Sequence, residues 1–129
     1  MTTSSDIGKL LLRLLIGALM LFHGVAKLNH GIAFITSKIT EQGLPEILSY
    51  GVYVGEVVAP ILLIIGLKTR FSAFLIACTM FVAVYLVHWN DLWSISNTGG
   101  LVTELQLLYL GGSIVIMFLG AGKFSFDKN

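Results

Sequence analysis

Four apolar stretches, over about 7–28, 48–67, 71–89 and 101–119, fill most of a chain of 129 residues, and charged side chains sit inside them. Each stretch is close to the ~20 residues a helix needs to cross a hydrocarbon core about 30 Å thick. A soluble domain of this length has no interior that could bury four such helices. The predicted fold is therefore all-α: an integral membrane four-helix bundle, antiparallel, forming a single domain over residues 1–129. Hydrophobic residues make up 56% and charged residues 12% of the chain. The charged share is about half that of soluble domains, which agrees with this class.

The net charge is +1, and the basic residues gather at helix ends, so nothing argues for nucleic acid as a partner. The lone Cys78 excludes an internal disulfide and reads as a small buried hydrophobe. The first stretch is not a cleaved signal: it is too long, contains Arg13, and ends in His23, Lys27 and Asn29 with no small-residue cleavage pattern. The six residues before it are expected to fray, with Asp6 as a candidate helix cap.

With four crossings, both termini share a side with the turn 66–70. That side holds Lys9, Arg13, Lys68, Arg70, Lys123 and Lys128, against Lys27 and Lys38 opposite. The basic side is expected to be cytoplasmic, which places the chain in a plasma membrane with both termini inside. The segment 29–47 is expected to lie along the outer surface before Gly43-Leu44-Pro45 starts the second helix, and 90–100 reads as a turn. Gly17 and Gly24, the series Gly51, Gly55 and Ala59, the pair Ala73 and Ala77, and Gly111 with Gly112 point to close helix packing.

On the first helix, Arg13, Gly17, Met20, Gly24 and Lys27 form one stripe with His23 beside it. Charge facing lipid near mid-bilayer costs at least ~2.5 kcal/mol, so this stripe should face inward. Lys27 is near enough to the outer surface to snorkel, so its charge alone assigns it no role. Glu56 lies near the middle of the second helix, and Pro60, four residues on, deprives its carbonyl of the usual donor. Counting ~1.5 Å per residue puts Arg13 ~9 Å and Glu56 ~15 Å from the cytoplasmic end, so Arg13 is the expected partner of Glu56. Such a pair can serve function or only fix packing. His23, with Glu104 and His88 near the outer ends of their helices, could extend a polar track outward. His88 also reads as an interface residue and Glu104 as a first-turn carboxylate. The histidine spacing fits neither a metal site nor bis-histidine haem. There is also no nucleotide loop, nucleophile elbow or CxxC pair.

The runs LLRLLIGALMLFHGVAKL, GEVVAPILLIIGLKTRFSA and GGLVTELQLLYLGGSIVIMFLGAGKFSFD resemble the three signature regions of the DoxX family of small four-helix bacterial membrane proteins. The distinctive placements are Arg13, the end of helix one from His23 to Leu28, Glu56 followed by Gly66-Leu67 and Thr69-Arg70, and Glu104 with the 122–127 tail. The resemblance implies membership in membrane oxidoreductase complexes of sulfur metabolism or oxidative-stress defence. Relatives include the DoxD-type subunit of thiosulfate:quinone oxidoreductase. A quinone is the cofactor that follows, with Arg13, His23 and Glu56 as its candidate ligands and Tyr53 and Tyr109 as further donors. Partners would be the bilayer, subunits of a redox complex, or further copies of the chain. The competing readings are a non-catalytic anchor or assembly subunit and a small transporter or proton pathway, the last disfavoured by the absence of internal repeats.

Overall fold

Burial in this protein is inverted relative to a water-soluble one. Arg13 and Glu56 are 1% and 3% exposed, whereas Phe22, Leu108 and Phe118 stand fully out. Only a surrounding apolar phase makes that arrangement favourable, because lipid solvates the outer leucines and phenylalanines while the polar groups must be satisfied inside. The computed structural model describes residues 3–87 and 89–128. His88, one of the expected track residues, lies outside the described residues.

The described residues form helices with no strand; a single bridge pairs Ile95 with Leu101. Helix α1 spans Thr3–His30 and α2 spans Ala33–Glu41. Helix α3 spans Glu46–Ile65, α4 Thr69–Val87 and α5 Glu104–Leu119. Three of them, α1, α3 and α4, are long and apolar enough to cross a membrane. Helix α5 is equally apolar but has 16 residues, a rise of about 24 Å. It starts at Glu104, not at Leu101, because Leu101 is drawn into the bridge and the Thr103 hydroxyl donates to Leu92 O at 3.0 Å. Helix α1 packs on α3, α3 on α4, α4 on α5, and α5 returns to α1. Ile16, Met20, Ala59, Leu63, Ile76, Met80, Tyr109 and Ile116 fill the space between them.

Several boundaries differ from the apolar limits. The residues expected to fray are helical from Thr3, and Asp6 does not cap α1: it is buried within it and accepts the Lys123 N–H at 3.3 Å. Gly66 ends α3, with φ of 76° and its N–H on Leu62 O at 2.9 Å. That left-handed position suits glycine. The segment expected along the surface contains α2, tied to the start of α3 by Thr36 Oγ1 donating to Ser49 Oγ at 3.0 Å. Of the small residues, Gly17 and Gly24 meet α3 and Gly55 meets Thr79, but nothing approaches Gly51 or Gly111.

The Arg13 to Glu56 contact expected from depth does not form. Arg13 instead donates through Nε to Leu63 O at 3.0 Å, through Nη2 to Ile64 O at 2.9 Å, and through Nη1 to Ala121 O and Phe124 O, both at 3.0 Å. The depth count treated the two helices as flush. Helix α1 begins earlier and overhangs, so Arg13 is level with Leu63 and Ile64, seven to eight residues along α3 from Glu56. That is roughly 11 Å along the axis, beyond an arginine's reach.

The position has its own physical logic. The last carbonyls of a helix lack intrahelical donors, and those of α3 lie under the C-terminal tail, away from water. Arg13 serves Leu63 and Ile64, while the tail supplies the Phe126 N–H to Ile65 O at 3.3 Å and the Asp127 N–H to Gly66 O at 2.9 Å. The Asp127 carboxylate then caps α4 by accepting the Lys68 and Thr69 N–H groups at 3.0 and 2.8 Å. Burial pushes the Asp127 pKa up, but the backbone N–H and hydroxyl of Thr69, the Lys68 N–H and the Lys68 charge outweigh it and hold the carboxyl below its ordinary value. A depressed carboxyl stabilises the folded state above the ordinary value, near pH 4, and that contribution disappears as pH falls through the lower folded value. Hydrogen exchange in 124–128 is therefore expected to stay slow from neutral pH to about 4 and to accelerate below it, after correction for the intrinsic rate. Asp127→Asn should abolish that extra acceleration.

Candidate functional site

Proline at position 60 sets the geometry of the site. It cannot donate to the carbonyl four residues back, and its ring crowds that carbonyl. The chain responds by widening one turn: Val54–Val58 is a π-helical segment, and the Ala59 N–H bonds Val54 O, five residues earlier. Such single-turn bulges are frequent at functional sites. Within it the Glu56 carbonyl abuts Gly24 so closely that a Cβ there would clash with it. Gly24→Ala is accordingly expected to cost about 1–3 kcal/mol by forcing α1 from α3, measurable as reduced resistance to unfolding in mixed micelles.

Three residues past Gly24, on the same face of α1, Lys27 reaches the Glu56 side chain. Its Nζ lies 2.6 Å from both carboxylate oxygens. Glu56 is buried, whereas the Lys27 side chain keeps 31% of its surface exposed. Lys27, which sequence reasoning had left to snorkel, is therefore the counter-ion. The signal was present in the stripe: Gly24 marks where the helices touch, and Lys27 is the next cation on that face.

The pair lines two cavities. The larger, about 380 Å³, lies among α2, α3 and α4, walled by Phe34, Ile35, Ile39, Leu48, Val52, Val82 and Leu86, with Lys38, Ser49, Thr79 and Gln106 as further polar groups. The smaller, about 90 Å³, is bounded by Met20, His23, Met80, Gln106 and Tyr109. His23 meets the buried Tyr109 edge to face, ring centroids 5.8 Å apart. The structure thus brings together Lys27, Glu56, His23 and Tyr109. Tyr53 lines neither cavity; its hydroxyl makes a long 3.4 Å contact with Lys27 O. Glu104 is exposed and folds over Gly100, away from both cavities, so it does not extend the track. Arg13 is committed to carbonyls at the far end of α3. Gln106 and Lys38 were missed as cavity residues. A lone amide within an apolar helix was the available signal for Gln106; Lys38 had none, because its place depends on how α2 folds back.

The DoxX family model matches residues 8–89, which include α1 from Gly8 onward, the π-helical turn of α3 and the whole of α4. The chain belongs to the DoxX family. Similarity to individual proteins extends further. A Haemophilus influenzae protein named only as uncharacterized is 34% identical over 121 residues, covering 91% of this chain and 86% of its own. A second from the same organism is 33% identical over 85 residues, 65% of this chain and 54% of that protein. A Bacillus subtilis protein named "Putative oxidoreductase CatD" is 32% identical over 87 residues, 67% of this chain and 64% of that one. No solved structure matches. Within this DoxX membrane protein, a buried carboxylate with a lysine counter-ion beside a largely apolar cavity can hold a polar headgroup and pass protons.

Proposed function

We propose that this DoxX protein is a membrane subunit of a quinone-linked oxidoreductase, with its ligand in the larger cavity beside Lys27 and Glu56. The observation that carries the reading is the position of that pair, on the wall of an otherwise largely apolar chamber of about 380 Å³. The volume falls in the range of small-molecule sites, about 300–1,000 Å³. Lys27 has three donors and spends two on Glu56, leaving one for a ring carbonyl. Glu56 would take up or release the proton, and His23 with Tyr109 would carry it on through the smaller cavity. A bound quinone supplies the capacity to accept electrons and protons; a partner subunit delivers the electrons. The name of the Bacillus relative supports the same direction.

The reading includes the arrangement in the bilayer: one domain, four antiparallel crossings with α5 as the fourth, and both termini on the cytoplasmic side of a bacterial plasma membrane. The basic cluster around Arg13, Lys68 and the tail supports that orientation, and cysteine labelling from either side checks it. The functional test is purification in mild detergent from the native membrane, followed by assay of quinone binding. Glu56→Gln is expected to lower that binding about tenfold with the helices intact, because the partly exposed Lys27 can turn toward water. Unchanged quinone binding with unchanged partners would favour the anchor reading, and proton flux into liposomes the transport one.

A further inference from the structure

The larger cavity carries a charge that quinone chemistry does not use. The titratable charges on its wall are Lys27, Lys38 and Glu56. Lys27 and Glu56 neutralise each other at 2.6 Å. Lys38 keeps only a 4.0 Å approach to Glu41, an exposed pair one turn along α2, and a position 5.4 Å above the Phe34 ring. Such a surface pair does little to compensate the lysine. One net positive charge therefore remains at a chamber whose other walls are mostly leucine, isoleucine, valine and phenylalanine, where low polarity strengthens its field. The volume suits one chain or ring and is too small for a two-chain lipid. Beyond the α2 residues, the apolar walls Leu48, Val52, Val82, Leu86 and Val87 belong to α3 and α4, both candidate membrane spans, so an apolar body arrives from the lipid phase.

We infer that this cavity binds a single-chain, membrane-borne carboxylate, with its head at Lys38 and its chain along α3 and α4. The inference rests on the cavity and its charge, not on the redox reading, and the carboxylate would occupy the chamber in alternation with the quinone proposed there. The test uses the full-length protein in phosphatidylcholine nanodiscs, with a photoreactive fatty acid and the fatty alcohol of equal chain length. The carboxylate is expected to label the cavity walls about tenfold more than the alcohol, the size of one charge-assisted hydrogen bond. Lys38→Gln should erase that preference and Lys38→Arg keep it, while unlabelled dodecanoate competes and acetate does not. Equal labelling by the alcohol, or a preference that survives Lys38→Gln, would overturn the proposal. So would competition by acetate as strong as by dodecanoate, since the site would then take a soluble anion. Alcohol labelling of the cavity walls should stay at the wild-type level in Lys38→Gln, which distinguishes loss of the charge from loss of the folded cavity.

Discussion

Replacing Lys27 with methionine is expected to destabilise the protein by about 3–5 kcal/mol, the usual cost of leaving one member of a buried ion pair without its partner. Glu56 is 3% exposed, so water cannot substitute for the lysine. Methionine keeps most of the side-chain volume, which confines the loss to charge. A second change, Glu56→Gln, removes the stranded charge, and the double variant should recover at least half of the lost stability. Reversible unfolding in mixed micelles measures both variants. If the double variant were as unstable as the two single losses combined, the 2.6 Å contact would not be what holds these groups. Exchanging the two residues, Lys27→Glu with Glu56→Lys, should recover less, because lysine at 56 would lie in the most buried part of the site.

Arg13→Leu is expected to cost about 4 kcal/mol or more and to release the C-terminal tail. The change removes the donor from the carbonyls of Ile64, Ala121 and Phe124, while Leu63 O keeps the Gly66 N–H at 3.2 Å, and each buried unpaired polar group costs about 1–3 kcal/mol, though not additively. Two observables separate this from a general loss of packing. Amides in 120–128 should exchange faster than those of α4, and Arg13→Lys should give an intermediate loss because an ammonium has fewer donors and no planar fork. Glu56→Gln should bring Arg13→Leu no relief. Rescue by that second change would mean that Arg13 and Glu56 are coupled after all, contrary to the geometry.

The two predictions divide what a depth count had joined. Counting residues from the ends of apolar runs identified Arg13 and Glu56 as buried charges, and both are. It mispaired them because it set the two helix ends flush: Arg13, ten residues into α1, lies level with Leu63 and Ile64, at the very end of α3. An offset of a few residues in helix register changes side-chain level by several ångströms, enough to exchange one partner for another. Pro60 was legible as a disturbance at Glu56, but the widened π-helical turn that answers it was not. A missing donor can be met by a kink, a bulge or a neighbouring side chain, and the choice depends on what α1 presents.

Composition and spacing were enough for the membrane class, the family and the inward face of α1. Each follows from a local property: the cost of charge in hydrocarbon, or the helical repeat that aligns Arg13, Gly17, Gly24 and Lys27. The partner of each charge, the tail that closes the ends of α3 and α4, and the chamber under α2 required three dimensions. They depend on the relative register of helices and on segments 50 to more than 100 residues apart, and hydropathy and periodicity along one helix carry no information about its axial offset from another.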